Sequence, residues 1–162
     1  MNTDLERIRR LVYDKCQFEL TSYKEGSESK EYNACKFELN GKIYICRSAK
    51  TTPKKSGQFV TFWKRNKDKI IEPYKESDNI DFFIINVRKE GQFGQFVFPK
   101  TELVKRSIIT TNIKEGKRGF RVYPPWDTVK SRQATDTQNW QIIFFYTVNN
   151  FIDLKKVKLL YK

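Results

Sequence analysis

The chain has 162 residues, with 32 Lys or Arg against 19 Asp or Glu, a formal net charge of +13, a pI near 9.7 and no histidine. That length suffices for one domain with a buried core, and the missing imidazoles exclude Ser-His-Asp triads, Cys-His pairs, histidine general bases and histidine-ligated metals. So basic a balance points to a polyanionic partner, while solvated surface lysines or an anionic membrane surface would give the same charge.

Thr3 as N-cap with Glu6 three residues later, and Leu5, Ile8, Leu11 and Val12 at helical spacing, predict an opening helix to about Lys15. Residues 22–31 have no periodic apolar face and read as a polar loop. Residues 32–39 and 42–48 are strand-like runs around Asn40-Gly41, a strong hairpin signal. Residues 58–63 fit either a strand or the start of a helix. Residues 81–87 (Asp-Phe-Phe-Ile-Ile-Asn-Val) fit a central strand buried on both faces, with 94–98 as its antiparallel neighbour. Pro99 at the first helical position predicts a short helix through Arg106. In 119–123, Phe120 and Val122 alternate with Arg121 and Tyr123, which puts a cation on the open face of a strand. Pro124-Pro125-Trp126-Asp127 then turns the chain, with Asp127 available to pair with Arg121. Gln133, Thr137, Trp140 and Phe144 predict a helix within 128–146, and the alternating apolar and basic residues of 153–162 predict a last strand. No linker divides the chain. The expectation is a single α/β (α+β) domain over 1–162, a central mixed sheet flanked by helices.

Two stretches carry the chemistry. Residues 47–65 interleave Arg47, Lys50, Lys54, Lys55, Lys64 and Arg65 with Thr51, Thr52, Gln58 and the rings of Phe59, Phe62 and Trp63. Residues 114–126 repeat the mixture with Lys117, Arg118, Arg121 and Trp126, and Arg132 follows. Cations displace counterions from phosphates, hydroxyls and amides bond the oxygens, and rings stack on bases, so these residues are the predicted contacts to DNA or RNA. The lysines choose between solvent and a ligand. Trp63, Trp126 and Trp140 read first as partly buried core rings.

Cys16, Cys35 and Cys46 are scattered and odd in number, which fits reduced, buried thiols; no metal site and no cofactor are expected. A Walker phosphate loop, a G-x-G-x-x-G and an EF-hand loop are all missing, leaving carboxylate–metal chemistry as the available route to phosphodiester cleavage. Nucleases of the PD-(D/E)xK type place an Asp on one strand and an acid and a Lys two positions apart on the next. Here Lys50 is in register, but Ser48 stands at the acid and Asn33 at the Asp. Neutral side chains hold a hard divalent cation poorly, and Glu31 and Glu38 bordering the hairpin read as solvated. The expectation is a vestigial nuclease site of Asn33, Ser48 and Lys50, with no catalytic residue.

Residues 49–65 (Ala-Lys-Thr-Thr-Pro-Lys-Lys-Ser-Gly-Gln-Phe-Val-Thr-Phe-Trp-Lys-Arg), 94–100 (Gly-Gln-Phe-Val-Phe-Pro-Lys) and 116–127 (Gly-Lys-Arg-Gly-Phe-Arg-Val-Tyr-Pro-Pro-Trp-Asp), with Gln133-Ala134 and Trp140-Gln141, closely resemble the MepB family. The resemblance implies a small bacterial cytoplasmic protein, in some species encoded beside a multidrug exporter and its repressor. It further implies a nuclease-like fold with a restriction-endonuclease-like core, proposed to bind nucleic acid without cutting it. The charged N-terminal segment does not read as a signal sequence, and no apolar run approaches the ~18 residues of a membrane span. The reading is a cytoplasmic binder of DNA or RNA with low sequence specificity and no membrane partner. The alternatives are a metal-dependent nuclease and a protein–protein adaptor linked to efflux regulation.

Overall fold

The computed structural model describes all 162 residues. The centre is a six-stranded mixed sheet in the order β1 (Leu20–Glu25), β2 (Cys35–Leu39), β3 (Lys42–Ser48), β8 (Phe82–Lys89), β9 (Gln92–Pro99), β11 (Phe145–Thr147). All its pairings are antiparallel except β3 with β8. The hairpin turn sits where expected: Asn40 and Gly41 both take positive φ (50° and 82°), as a two-residue turn matched to strand twist requires. Strand β8 is covered on both faces. Phe82 and Ile84 enter one apolar cluster, and Phe83, Ile85 and Val87 enter the other.

One face is covered by α1 (Thr3–Ile8), which continues as a wider turn through Tyr13, and by α4 (Leu154–Leu160). Helix α1 starts one residue earlier than expected, because the Asn2 side chain accepts from the Leu5 N–H at 2.9 Å and is the cap. The predicted terminal strand is instead α4: Asp153 caps it by accepting from the Lys156 N–H at 3.1 Å, and Leu154, Val157 and Tyr161 line its inner face. Strand β1 lies where a loop was expected. It is an edge strand whose half-buried residues, Leu20 and Tyr23, lie three positions apart across an irregularity in register, so apolar alternation could not mark it.

Across this layer a row of buried polar side chains is bonded throughout. Gln95 accepts from the hydroxyls of Tyr146 and Tyr161 (the latter at 2.6 Å) and donates to Asn86 at 2.8 Å, while Tyr13 and Tyr161 share a 2.7 Å hydrogen bond. Burial pushes all three phenols well above the ordinary tyrosine range.

The 33-residue passage from β3 to β8 is not a helix but a second layer. It contains β4 (Lys50–Thr51), β5 (Gln58–Thr61), β6 (Trp63–Arg65) and β7 (Ile71–Pro73). β4 and β5 join β10 (Gly119–Val122) in a three-stranded sheet, and β6 pairs with β7. Val60, Phe62, Phe120 and Val122 pack inward on the central sheet, together with Leu103 of α2 (Lys100–Lys105). Pro99 sits at the α2 cap rather than inside the first turn. Helix α3 (Arg132–Gln141) is capped by Ser131, which accepts from the Ala134 N–H at 3.0 Å, and flanks β10. No helix is long and apolar enough to cross a membrane.

Candidate nucleic-acid interface

The two basic stretches, some sixty residues apart in sequence, are neighbours in space. β5 and β10 pair antiparallel with Phe59 opposite Arg121 and Val60 opposite Phe120. Strand alternation therefore sorts their side chains. Val60, Phe120 and Val122 face the core, while Phe59 and Arg121 face out.

Beside this outward face, α3 closes a groove. Three adjoining cavities of about 410, 480 and 470 Å³ run from Lys54 and Lys55, past Arg121 and Tyr123, to Arg106, Arg132 and Trp140. The first two share Arg121, Tyr123, Ser131 and Ala134, and the last two share Arg106, Gln133, Thr137 and Trp140, so they form one continuous channel. Lys117 and Lys130 also line it. Its aromatic surfaces are half-buried: Phe59, Tyr123 and Trp140 each keep part of a ring exposed while anchored behind. Trp140 packs 5.2 Å from Phe98, and the Arg106 guanidinium lies 4.8 Å from the Trp140 ring centre. The acids of this region are few and engaged, Glu102 bonding Arg106 at 2.9 Å and Asp136 lying 4.0 Å from Arg132.

Arg121 does not pair with Asp127. Its guanidinium donates to the carbonyls of Ser56 (3.0 and 3.1 Å) and Gly57 (3.1 Å) and to Thr52 Oγ1 (2.8 Å). Thus Arg121 and Thr52 hold the 52–57 loop that presents Lys54 and Lys55. Asp127 is met by Lys89 at 3.3 Å.

Several predicted contacts lie elsewhere, each for a geometric reason. Gln58 points inward by strand alternation and donates to the Arg88 carbonyl at 3.1 Å. Trp126 packs edge-on to Phe145 at 5.7 Å, away from the groove. Arg118 is exposed at the end of β10 and ion-paired with Glu115 at 3.1 Å. Trp63, Lys64 and Arg65 leave with β6; Lys64 bonds Asp78 at 2.5 Å and Arg65 bonds Glu28 at 2.7 Å. Arg47 is buried on β3. Thr52, Lys54, Lys55, Lys117, Arg121 and Arg132 are the predicted residues that the fold brings together. Arg106 and Lys130 escaped sequence reasoning because both lie outside the two basic aromatic stretches.

At the hairpin corner the Asn33 and Ser48 side chains meet. Asn33 Nδ2 donates to Ser48 Oγ at 3.3 Å, although Asn33 lies in a left-handed turn (φ 51°) before β2 rather than on a strand. The Lys50 ammonium lies 5.0 Å from the ring centre of Tyr32, next to Asn33, and Thr51 follows exposed on β4. One acid reaches the corner from α1: Ser48 Oγ donates to the Asp4 carboxylate at 3.2 Å, and Arg88 pairs with the same carboxylate. No three His, Cys, Asp or Glu side chains cluster as metal ligands.

A family model described as MepB-like matches residues 26–147. The crystal structure of MepB is similar at a TM-score of 0.80 and 31% identity, over 93% of this chain and 100% of that one. A bacterial homing endonuclease aligns over 98% of this chain and 95% of its own at 14% identity, with a TM-score of 0.44, too loose a likeness to carry a conclusion. No curated protein matches.

Proposed function

The chain belongs to the MepB-like family, and we propose that it binds DNA or RNA, with low sequence specificity, in the groove between β5, β10 and α3. The observation that carries this reading is the pairing of β5 with β10, which gathers cations and half-exposed rings from two distant stretches into one channel. Phosphates meet Lys54, Lys55, Lys117 and Lys130, and bases stack on Tyr123, Phe59 and Trp140. Phosphate contact and stacking do not distinguish one base from another, hence the low specificity. A metal-dependent nuclease is less well supported. At the Asn33–Ser48 corner the residues present offer a divalent cation one carboxylate, Asp4, already neutralised by Arg88.

Labelled single- and double-stranded DNA and RNA of mixed sequence, titrated over a salt series with and without Mg²⁺, test this reading. Saturable binding by several sequences that weakens with salt is expected. No binding, or binding indifferent to salt, overturns the proposal, and cleavage with metal would favour the nuclease.

A further inference from the structure

A second cavity, of about 380 Å³, shares no lining residue with the groove. It lies between the 24–28 and 34–36 segments, β3 and β6, and Arg47 is among its lining residues. Arg47 is only 5% exposed. Its Nη1 donates to Ser29 Oγ at 3.2 Å and Thr61 Oγ1 at 2.7 Å, and its Nη2 donates to the Trp63 carbonyl at 3.0 Å. The Nε–H is buried with no acceptor.

All these partners are neutral, and Arg47 makes no ion pair. A guanidinium stays charged in a protein interior, where an uncompensated charge is costly, and an anion beside it would offset that cost. Of the neighbouring carboxylates, Glu28 is engaged by Arg65 at 2.7 Å and Asp78 by Lys64 at 2.5 Å, while Glu31 acts on Arg47 through space without forming an ion pair with it. Five cationic side chains, Lys24, Lys36, Arg47, Lys64 and Arg65, line the cavity against Glu25 and Glu28. Trp63 adds a half-buried ring, with the Arg65 guanidinium 5.5 Å from its centre. The volume falls at the lower end of the roughly 300–1,000 Å³ typical of small-molecule sites.

We propose that this cavity binds a phosphate monoester of nucleotide size, its phosphate toward Arg47 and its base or sugar against Trp63. The bearer is either a free mononucleotide or the 5′-phosphorylated end of a strand. Only the strand-end form rests on the nucleic-acid reading.

Calorimetry and thermal melting at constant ionic strength test it, with adenosine monophosphate, inorganic phosphate, adenosine and chloride as probes. Short oligonucleotides with 5′-phosphate or 5′-hydroxyl form the second arm. Adenosine monophosphate is expected to bind saturably and raise the melting temperature, phosphate more weakly, and adenosine not at all. Arg47→Lys keeps the charge but loses the planar fork, and should weaken binding at least tenfold. Because Arg47 also ties Ser29, Thr61 and Trp63 together, Lys36→Ala and Trp63→Ala serve as second variants, each expected to weaken binding several-fold. A preference for the 5′-phosphate strand identifies a strand end; equal affinity for both strands with adenosine monophosphate bound identifies the free nucleotide. If neither phosphate nor adenosine monophosphate stabilises the protein beyond chloride, the proposal is overturned. Nucleotide binding that persists while long strands fail to bind removes the groove reading alone.

Discussion

Replacing Lys54 and Lys55 together by alanine separates the groove's electrostatics from its fold. Both are exposed and lie in the loop held by Arg121, and neither makes an ion pair. Lys54 has a left-handed backbone (φ 66°), but lysine and alanine both carry a Cβ, so that strain is common to the two proteins. Stability should change by no more than about 0.5 kcal/mol. Binding should change far more. Each phosphate neutralised contributes about 0.9 to the slope of log K against log[salt] on duplex and about 0.7 on single strands. Losing two contacts should flatten the slope by about 1.8 or 1.4, and at 0.15 M salt should weaken binding by about 30-fold on duplex and about 14-fold on single strands. Fluorescence anisotropy over a salt series reads both quantities, and a denaturant melt confirms the fold. A folded double variant with unchanged slope would show that this loop does not contact the strand.

Asn33→Asp with Ser48→Glu should join Asp4 in a three-carboxylate corner, and Mg²⁺ or Mn²⁺ should then raise the melting temperature of the variant alone; equal melting with and without metal would refute that geometry. Gln95→Leu leaves the Tyr146 hydroxyl and the Asn86 Oδ1 without their partner, while Tyr161 keeps Tyr13, at about 1–3 kcal/mol for each orphaned group, so chemical denaturation should show a loss of several kcal/mol. Stability should also fall above pH 10. The unfolded chain releases phenolic protons near its ordinary pKa of 10.0 while buried Tyr13, Tyr146 and Tyr161 retain theirs, so each costs about 1.4 kcal/mol per pH unit there and nothing below. Cys46, held up by neighbouring Cys35 and by burial, begins the decline near pH 9, and denaturant midpoints across pH 7–11 measure the curve. Gly57→Ala should cost about 1–3 kcal/mol and weaken strand binding, because its Cβ would sit 2.6 Å from the Tyr123 ring at a φ of 75°; unaltered affinity would detach Tyr123 from the interface.

What the amino-acid sequence determined by itself is local or periodic. Asn40-Gly41 sets the hairpin because few other pairs accept two positive φ values in a row. The unbroken apolar run 82–85 can satisfy itself only between two covered faces, which makes β8 central. The charge of +13, the absent histidines and the motifs shared with the MepB-like family were equally legible. Residues 153–162 were not, since Leu154, Val157 and Tyr161 fit a helix as well as the alternation fits a strand; an Asp153 cap and the seat of Tyr161 on Tyr13 and Gln95 select the helix. The fate of each cation was hidden too. Arg47 and Lys54 belong to one basic stretch, yet one is buried against Ser29, Thr61 and Trp63 while the other is exposed beside the groove. Tertiary structure alone decided that. Whether a charged side chain is solvated, paired or isolated depends on which distant strands pair beside it, and the pairing of β5 with β10, like the approach of Asp4 to Ser48, joins partners dozens of residues apart.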